Sequence, residues 1–369
     1  MIVAMRILFL VRSLHLAGAE RQLTVLAQGL RARGHFVGVA VLYGGGELEA
    51  ELLRAGVAIY TLHKKSRWDL FSPFMRIISL VRAGRFGVIH GYMTAGNLLA
   101  FVVTALFSPA KRVAGIRASQ FSSDDLDWIT RMAIFVERKL FRYFHLVICN
   151  SKKAMSDFST FLDPTKTHCI SNGIDCELFD IDDEAGFALR EAWAIPNSAP
   201  VLGAVMRPDR LKDSQTLFQV SRAFLAAVPA GYVLVVGQLT KKWHDEIDNC
   251  EQSARFVLLG RITNMRAAYN AMSVLLLCST SEGFPNVIAE ALACGTKCVT
   301  TDVGDAAGIV LNKTRIAPVG DVSALTNAVI SCLLAADNPF ELRESIVERY
   351  DQKILVDHTE KLLSTFPIS

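Results

Sequence analysis

Hydrophobic stretches long enough to cross a bilayer are missing. The longest interior apolar run, NLLAFVVTALF from Asn97 to Phe107, falls well short of the roughly 20 residues a spanning helix needs. The N-terminal run MIVAMRILFLVRSL is broken by Arg6 and Arg12 and is followed by no small-residue cleavage site. It therefore reads as a first buried strand rather than a secretion signal. Metal-ligand spacings are also missing. None of the eight cysteines forms a C-x-x-C pair, and Cys149, Cys278 and Cys332 lie inside apolar stretches, as buried reduced thiols do. His63, His145, His168 and His244 show no ligand spacing either. The first strand, turn and helix, FLVRSLHLAGAER, lack G-x-G-x-x-G, which speaks against a nicotinamide dehydrogenase. Charge is scarce: charged residues make up 20% and the net charge is +3. That balance argues against a nucleic-acid partner or a general polyanion-binding role, and 51% hydrophobic residues argue against disorder. The chain is expected in the cytosol, at most attached to a membrane surface.

Short apolar strands alternate with longer amphipathic segments, the pattern of an α/β fold with parallel sheets. RILFLVR (6–12), a helical AERQLTVLAQGLRARG (19–34) and FVGVAVLY (36–43) begin a first series, which continues through AIYTL, FGVIHGY, RVAGIR and HLVICNS. A second series contains PVLGAVMR (200–207), YVLVVG (232–237), ARFVLLG (254–260), SVLLLC and KCVTTDVG (297–304). Two Rossmann-like domains are expected, 1–175 and 199–349, joined by an acidic, solvated linker at 176–198, with a helix in 350–369 packing back on the first domain. Such sheets bind ligands beyond the carboxyl ends of their strands.

The segment TSEGFPNVIAEALACG (280–295) follows one of these strand ends. A helix is expected from Pro285, which suits a first helical position, to the C-terminal Gly295. Glu282 then lies in the loop and Glu290 a turn or more inside the helix. Amides of Phe284, Asn286 and Val287 would point beyond the strand end, where a helix N-terminus favours an anion. After the strand at 200–205, MRPDRLKD offers Arg207 and Lys212 on a turn leading into a helix. Two cations beside a helix N-terminus suit a diphosphate, each charge-assisted bond contributing roughly 1.5–3 kcal/mol. Gly237, Gly260 with Arg261, and TDVGD mark three further strand ends.

Together these motifs resemble the retaining glycosyltransferases of family 4, group 1 type, with the GT-B fold of two facing Rossmann-like domains and an interdomain cleft. The family's E-x7-E signature is matched by Glu282 and Glu290, and its G-R-x4-K segment by Arg207 and Lys212. AGAERQLTVLAQGLRARGH (17–35) resembles its glycine-rich turn and first helix; NSKKAMSDF and ISNGID resemble the end of its first domain. The resemblance implies a transferase moving a hexose-type sugar from a nucleotide sugar to a glycan or lipid-linked saccharide, in surface polysaccharide, lipopolysaccharide or glycoconjugate synthesis. It implies no metal and no cofactor, and a UDP-linked donor is expected ahead of a GDP-linked one. Glu290 would hold the ribose hydroxyls, Glu282 would contact the transferred sugar, and Arg207 and Lys212 would neutralise the diphosphate as the sugar–oxygen bond breaks. Gly237, Gly283, Phe284, Pro285, Asn286 and Val287 complete the expected donor site. Gly18 would let backbone approach the donor phosphates or the acceptor, and His90 matches a common family histidine and joins the catalytic candidates.

The chain departs from the family pattern at Ala17 and Met206, where glycines are usual, and at Gly308, where glutamate is frequent. In VIHGYM, Tyr92 stands where H-x-H has its second histidine, and a tyrosine of ordinary pKa is a poor general base. DLD, Asp125 to Asp127, mimics a D-x-D metal motif but lacks a preceding buried strand, so it reads as a helix-capping cluster. The basic, aromatic segment WITRMAIFVERKLFRYFHLV (128–147) is expected to pack on the first sheet with its cations in water, with contact to an anionic membrane as an addition. A nucleotide-sugar epimerase, a phosphorylase of the same architecture and an inactive nucleotide-sugar-binding protein are the alternative functions.

Overall fold

The computed structural model describes residues 3–117, 127–209 and 211–366. It contains two compact units, Met1–Gly173 with Gln352–Ser369, and Ile174–Asp351. In the first unit the order is β1 (Arg6–Val11), α1 (Gly18–Ala32), β2 (Phe36–Val41), α2 (Glu49–Arg54), β3 (Ala58–Thr61), α3 (Phe71–Gly84), β4 (Val88–Tyr92), α4 (Met93–Leu106), β5 (Lys111–Ile116), α5 (Trp128–Leu140), β6 (Leu146–Cys149), α6 (Lys152–Asp157) and β7 (Thr167–Cys169). The strands lie in the order β3-β2-β1-β4-β5-β6-β7 and every pairing is parallel. Helices cover both faces of such a sheet, so its strands read as continuous apolar runs: all five residues of β4 are buried. Chain direction across the sheet reverses between β1 and β4, the switch point of a doubly wound fold.

The second unit repeats the plan with α7 (Asp183–Ala192), β8 (Val201–Met206), α8 (Ser214–Ala227), β9 (Tyr232–Gly237), α9 (Lys241–Asp248), β10 (Phe256–Gly260), α10 (Met265–Asn270), β11 (Val274–Leu277), α11 (Asn286–Ala293), β12 (Lys297–Thr301), α12 (Ala306–Val310), β13 (Ile316–Ala317), α13 (Val322–Leu334) and α14 (Pro339–Tyr350). Its six strands run in the order β10-β9-β8-β11-β12-β13, all parallel, with the switch point between β8 and β11. The last helix, α15 (Gln352–Leu363), belongs to the first unit, where it packs against α1. Val356 fills the notch at Gly29 so tightly that a Cβ there would lie 2.3 Å from its Cγ2.

Two expectations need correction. The acidic stretch at 176–198 is no solvated linker: Cys176 and Ile195 lie in the second unit's core, and α7 packs against α10. Its acids have structural work. Asp182 caps α7 by accepting from the Ala185 amide at 3.0 Å, and Asp180 and Asp182 both pair with Arg266. The helix after Glu282 begins at Asn286, because Pro285 takes an extended ψ of 94° and serves as the cap.

Candidate functional site

The loops that carry the predicted donor residues lie at the carboxyl ends of β8, β9, β11 and β12. Asp213 caps α8, accepting from the Thr216 amide at 3.0 Å and the Thr216 hydroxyl at 2.6 Å. That cap fixes the chain at Lys212, the residue before it. Lys212 Nζ forms an ion pair with Glu282 Oε1, and both side chains are largely buried. The Ser279 hydroxyl donates to the same carboxylate oxygen at 2.8 Å. Ser279 is held in turn by Thr301 on β12, whose hydroxyl donates to the Ser279 carbonyl at 2.8 Å and accepts from its amide at 3.1 Å. The Thr280 amide donates to the Leu211 carbonyl at 2.8 Å, tying the Glu282 loop to the Lys212 loop through backbone as well.

Two glycines make these approaches possible. Gly237, with φ of +111°, sits where a Cβ would come within 1.8 Å of the Met206 carbonyl oxygen. Gly304, with φ of +55°, faces the Glu282 and Gly283 carbonyls, where a Cβ would lie 2.3 Å from the Gly283 oxygen. Beside it the Asp305 amide donates to that oxygen at 2.9 Å. Phe284 anchors the loop: its ring is buried and meets Tyr350 edge-on at 5.1 Å. With Phe284 and Pro285 buried, they can offer a ligand only backbone, while Asn286 and Val287 form the half-buried first turn of α11.

Glu290 stands one turn further along α11 and accepts a hydrogen bond from Tyr269 Oη at 2.6 Å. Tyr269 is fully buried on α10, and burial together with the neighbouring Glu290 pushes its phenol well above the ordinary range. The phenol therefore stays a donor at neutral pH and holds the carboxylate in one orientation. Arg207 behaves differently from Lys212: its guanidinium is mostly exposed and pairs with Asp209 at 2.8 Å. Both cations line a cavity of about 270 Å³ with Met206, Gln238 and Trp243. Arg261 donates to Gln238 at 3.2 Å, bringing the end of β10 to the same rim. A wider groove of about 860 Å³ over α8 and α9 contains none of the predicted residues. Among the described residues no three His, Cys, Asp or Glu side chains are grouped to hold a metal ion.

In the first unit Gly18 is the first residue of α1 and is exposed. His90 is fully buried in β4, between Phe9 at 5.2 Å and Tyr92 at 5.0 Å. Neither ring nitrogen has a hydrogen-bond partner among the described residues. Burial, with Arg117 nearby, holds the imidazole well below its usual pKa, so it is neutral. His90 is thus a packed core residue here, because its strand is covered on both faces. Tyr92 is also buried, and its hydroxyl accepts from Arg117 Nη2 at 2.7 Å. Of DLD, Asp127 caps α5, accepting from the Ile129 and Thr130 amides, while Asp125 lies outside the described residues. The sequence reading missed Tyr269, Ser279 and Thr301. TDVGD carried a signal for Gly304, but nothing local marks Tyr269 as a partner of Glu290.

Two family models match the chain: Glycosyltransferase Family 4 over residues 16–178 and Glycosyl transferases group 1 over residues 199–335. The chain belongs to the family 4, group 1 glycosyltransferases. Among curated relatives of the family, the D-inositol 3-phosphate glycosyltransferase of Jonesia denitrificans is 26% identical over 249 residues, 62% of this chain and 58% of that protein. The N-acetyl-alpha-D-glucosaminyl L-malate synthase of Bacillus anthracis is 25% identical over 188 residues, 47% of this chain and 48% of that one. The chain thus spans about half the length of the curated relatives it matches. Anabaena HepE, solved in complex with UDP-glucose, has a TM-score of 0.85 at 20% identity, covering 98% of this chain and 100% of that one. At that identity the likeness establishes the fold, which is the GT-B class of the family.

Proposed function

We propose that the protein is a retaining glycosyltransferase that moves a hexose-type sugar from a nucleotide sugar to a saccharide or lipid-linked saccharide acceptor, in surface polysaccharide or glycoconjugate synthesis. The observation that carries this reading is the pairing of Lys212 with Glu282 beside Glu290, itself clamped by Tyr269, at the carboxyl ends of one parallel sheet. A diphosphate entering there draws Lys212 from Glu282, and Arg207, already exposed on the same cavity wall, adds a second cation. Glu282 then faces the sugar. Charge developing on the leaving diphosphate is met by these cations and by the first-turn amides of α11, an electrostatic form of catalysis for which no metal is required. Glu290 takes the ribose hydroxyls as a fixed acceptor. Retention is carried over from the family. A UDP-linked donor is favoured by the HepE complex with UDP-glucose, and the names of the curated relatives, with an inositol phosphate and a malate, point to small polar acceptors as members of the test panel.

The test is release of UDP from a panel of UDP-hexoses, with and without saccharide acceptors and inorganic phosphate. Release that requires an acceptor and is unchanged by EDTA is expected. Interconversion of the donor sugar without an acceptor, or dependence on phosphate, would replace the reading by an epimerase or a phosphorylase. Donor binding without turnover on any acceptor would leave a binding protein.

A further inference from the structure

Helix α5 carries its apolar side outward. The sequence reading expects the segment 128–147 to pack on the first sheet with its cations in water; its end does so, with Phe141 and Phe144 buried in that unit's core, whereas α5 itself packs against α4. Glu137, buried, accepts from the Thr94 hydroxyl and the Asn97 side-chain amide, each at 2.7 Å. The opposite side presents Trp128, Met132, Phe135 and Val136 at spacings of three and four residues. All four are exposed, Trp128 by 71% and Phe135 by 58%. Arg131 and Lys139 share that exposed row, and Arg142 and Tyr143 follow it. A surface helix ordinarily does the reverse, turning its apolar stripe to the core.

A second element joins this face. The loop between β3 and α3 leaves Trp68 74% exposed, and Phe71, the first residue of α3, is 78% exposed. Arg67 of that loop forms an ion pair with Asp127, the N-cap of α5. Trp68 and Trp128 are therefore the residues next in chain to the two ends of one ion pair. Beside them a groove of about 560 Å³, whose lining includes Leu42, Leu62, Phe74, Leu98, Leu99 and Val102 with Lys64 and Asp69 among them, continues the apolar surface. Exposed tryptophan and tyrosine interleaved with lysine and arginine is the chemistry of a bilayer interface, where rings sit at headgroup level and cations meet lipid phosphates.

We infer that this face of the first unit docks on an anionic lipid bilayer. The apolar row of α5 and the Trp68–Phe71 segment enter the boundary between headgroups and acyl chains, and Arg131, Lys139 and Arg142 meet the phosphates. The inference is independent of the donor residues proposed in the second unit, none of which lies on this face.

Flotation with vesicles of phosphatidylglycerol and phosphatidylethanolamine, against vesicles of phosphatidylcholine alone, tests it. The protein is expected to float with the anionic vesicles only and to be released as salt rises. Arg131→Glu with Lys139→Glu should weaken partitioning by about tenfold or more. Trp128→Ala with Phe135→Ala, and separately Trp68→Ala with Phe71→Ala, should each weaken it without reducing salt sensitivity. All three variants change exposed side chains, so their circular dichroism and nucleotide binding should match the parent. Wild-type protein that stays at the bottom of the gradient, or variants that float like it, would overturn the inference. So would a concentration-dependent dimer that Phe135→Ala dissociates in the absence of lipid binding, which would assign the face to a second copy of the chain.

Discussion

Tyr269 bears on the proposed donor site through Glu290. Its hydroxyl donates to the carboxylate that is proposed to hold the ribose, so Tyr269→Phe should weaken nucleotide binding through loss of orientation. A hydrogen bond to a charged group contributes roughly 1.5–3 kcal/mol, equivalent to about 10- to 150-fold in affinity, and an indirect effect belongs at or below the low end. KM for the donor should rise several-fold while kcat changes little; an unchanged KM would show that Glu290 needs no such partner. At His90 the argument concerns stability. The folded imidazole titrates well below its usual range because it is buried, whereas in the unfolded chain it binds a proton near pH 6.5. Below that value the unfolded state carries the extra proton, so stability falls as pH drops and is restored as pH rises through about 6.5. Urea unfolding at pH 5 and pH 7.5 should show this difference, and His90→Leu should shrink it. An undiminished difference in the variant would place the effect elsewhere.

At the scale of elements, legibility followed burial. Both sheets are parallel and covered, so β1, β4, β8 and β11 appear in the sequence as plain apolar runs, and the turn at Gly295 marked the end of α11. Glu282 and Lys212 were each recognisable, and the fold joins them across 70 residues. What stayed hidden depended on partners that local sequence does not specify. The acids around α7 looked like those of a solvated linker because a capping or ion-paired carboxylate has the same letters as a free one. Tyr269 and Glu290 lie 21 residues apart on different helices, and no periodicity connects them. The exposed row of α5 has the spacing of an ordinary core-facing helix; only the structure shows which side is inward. Arg190 gives α7 a test of its own. Its buried guanidinium donates to the Ala271 carbonyl at 2.9 Å, Asn197 at 2.7 Å and Ala199 at 3.1 Å. Arg190→Ala strands those acceptors, and at roughly 1–3 kcal/mol for an unsatisfied buried group the urea midpoint should fall clearly. A midpoint equal to the parent's would restore the linker reading of 176–198.

Across the whole molecule, one doubly wound plan is used twice with different endings. In the first unit the central strand β4 ends in the packed aromatic side chains His90 and Tyr92, with Arg117 from the end of β5 over the Tyr92 ring. In the second the corresponding ends carry glycines, a helix N-terminus and paired opposite charges. The proposed donor residues therefore centre on the second unit, and the proposed lipid-facing surface belongs to the first. Among the described residues no helix is long and apolar enough to cross a membrane, so the proposed membrane contact is made by a surface. Calorimetric titration with UDP, GDP and ADP, repeated on Glu290→Ala and Lys212→Ala, tests the central claim most directly. Saturable binding selective for UDP and weakened about tenfold or more in both variants is the predicted result. No binding by folded protein, or binding that both variants leave unchanged, would contradict the assignment of this site to a nucleotide sugar.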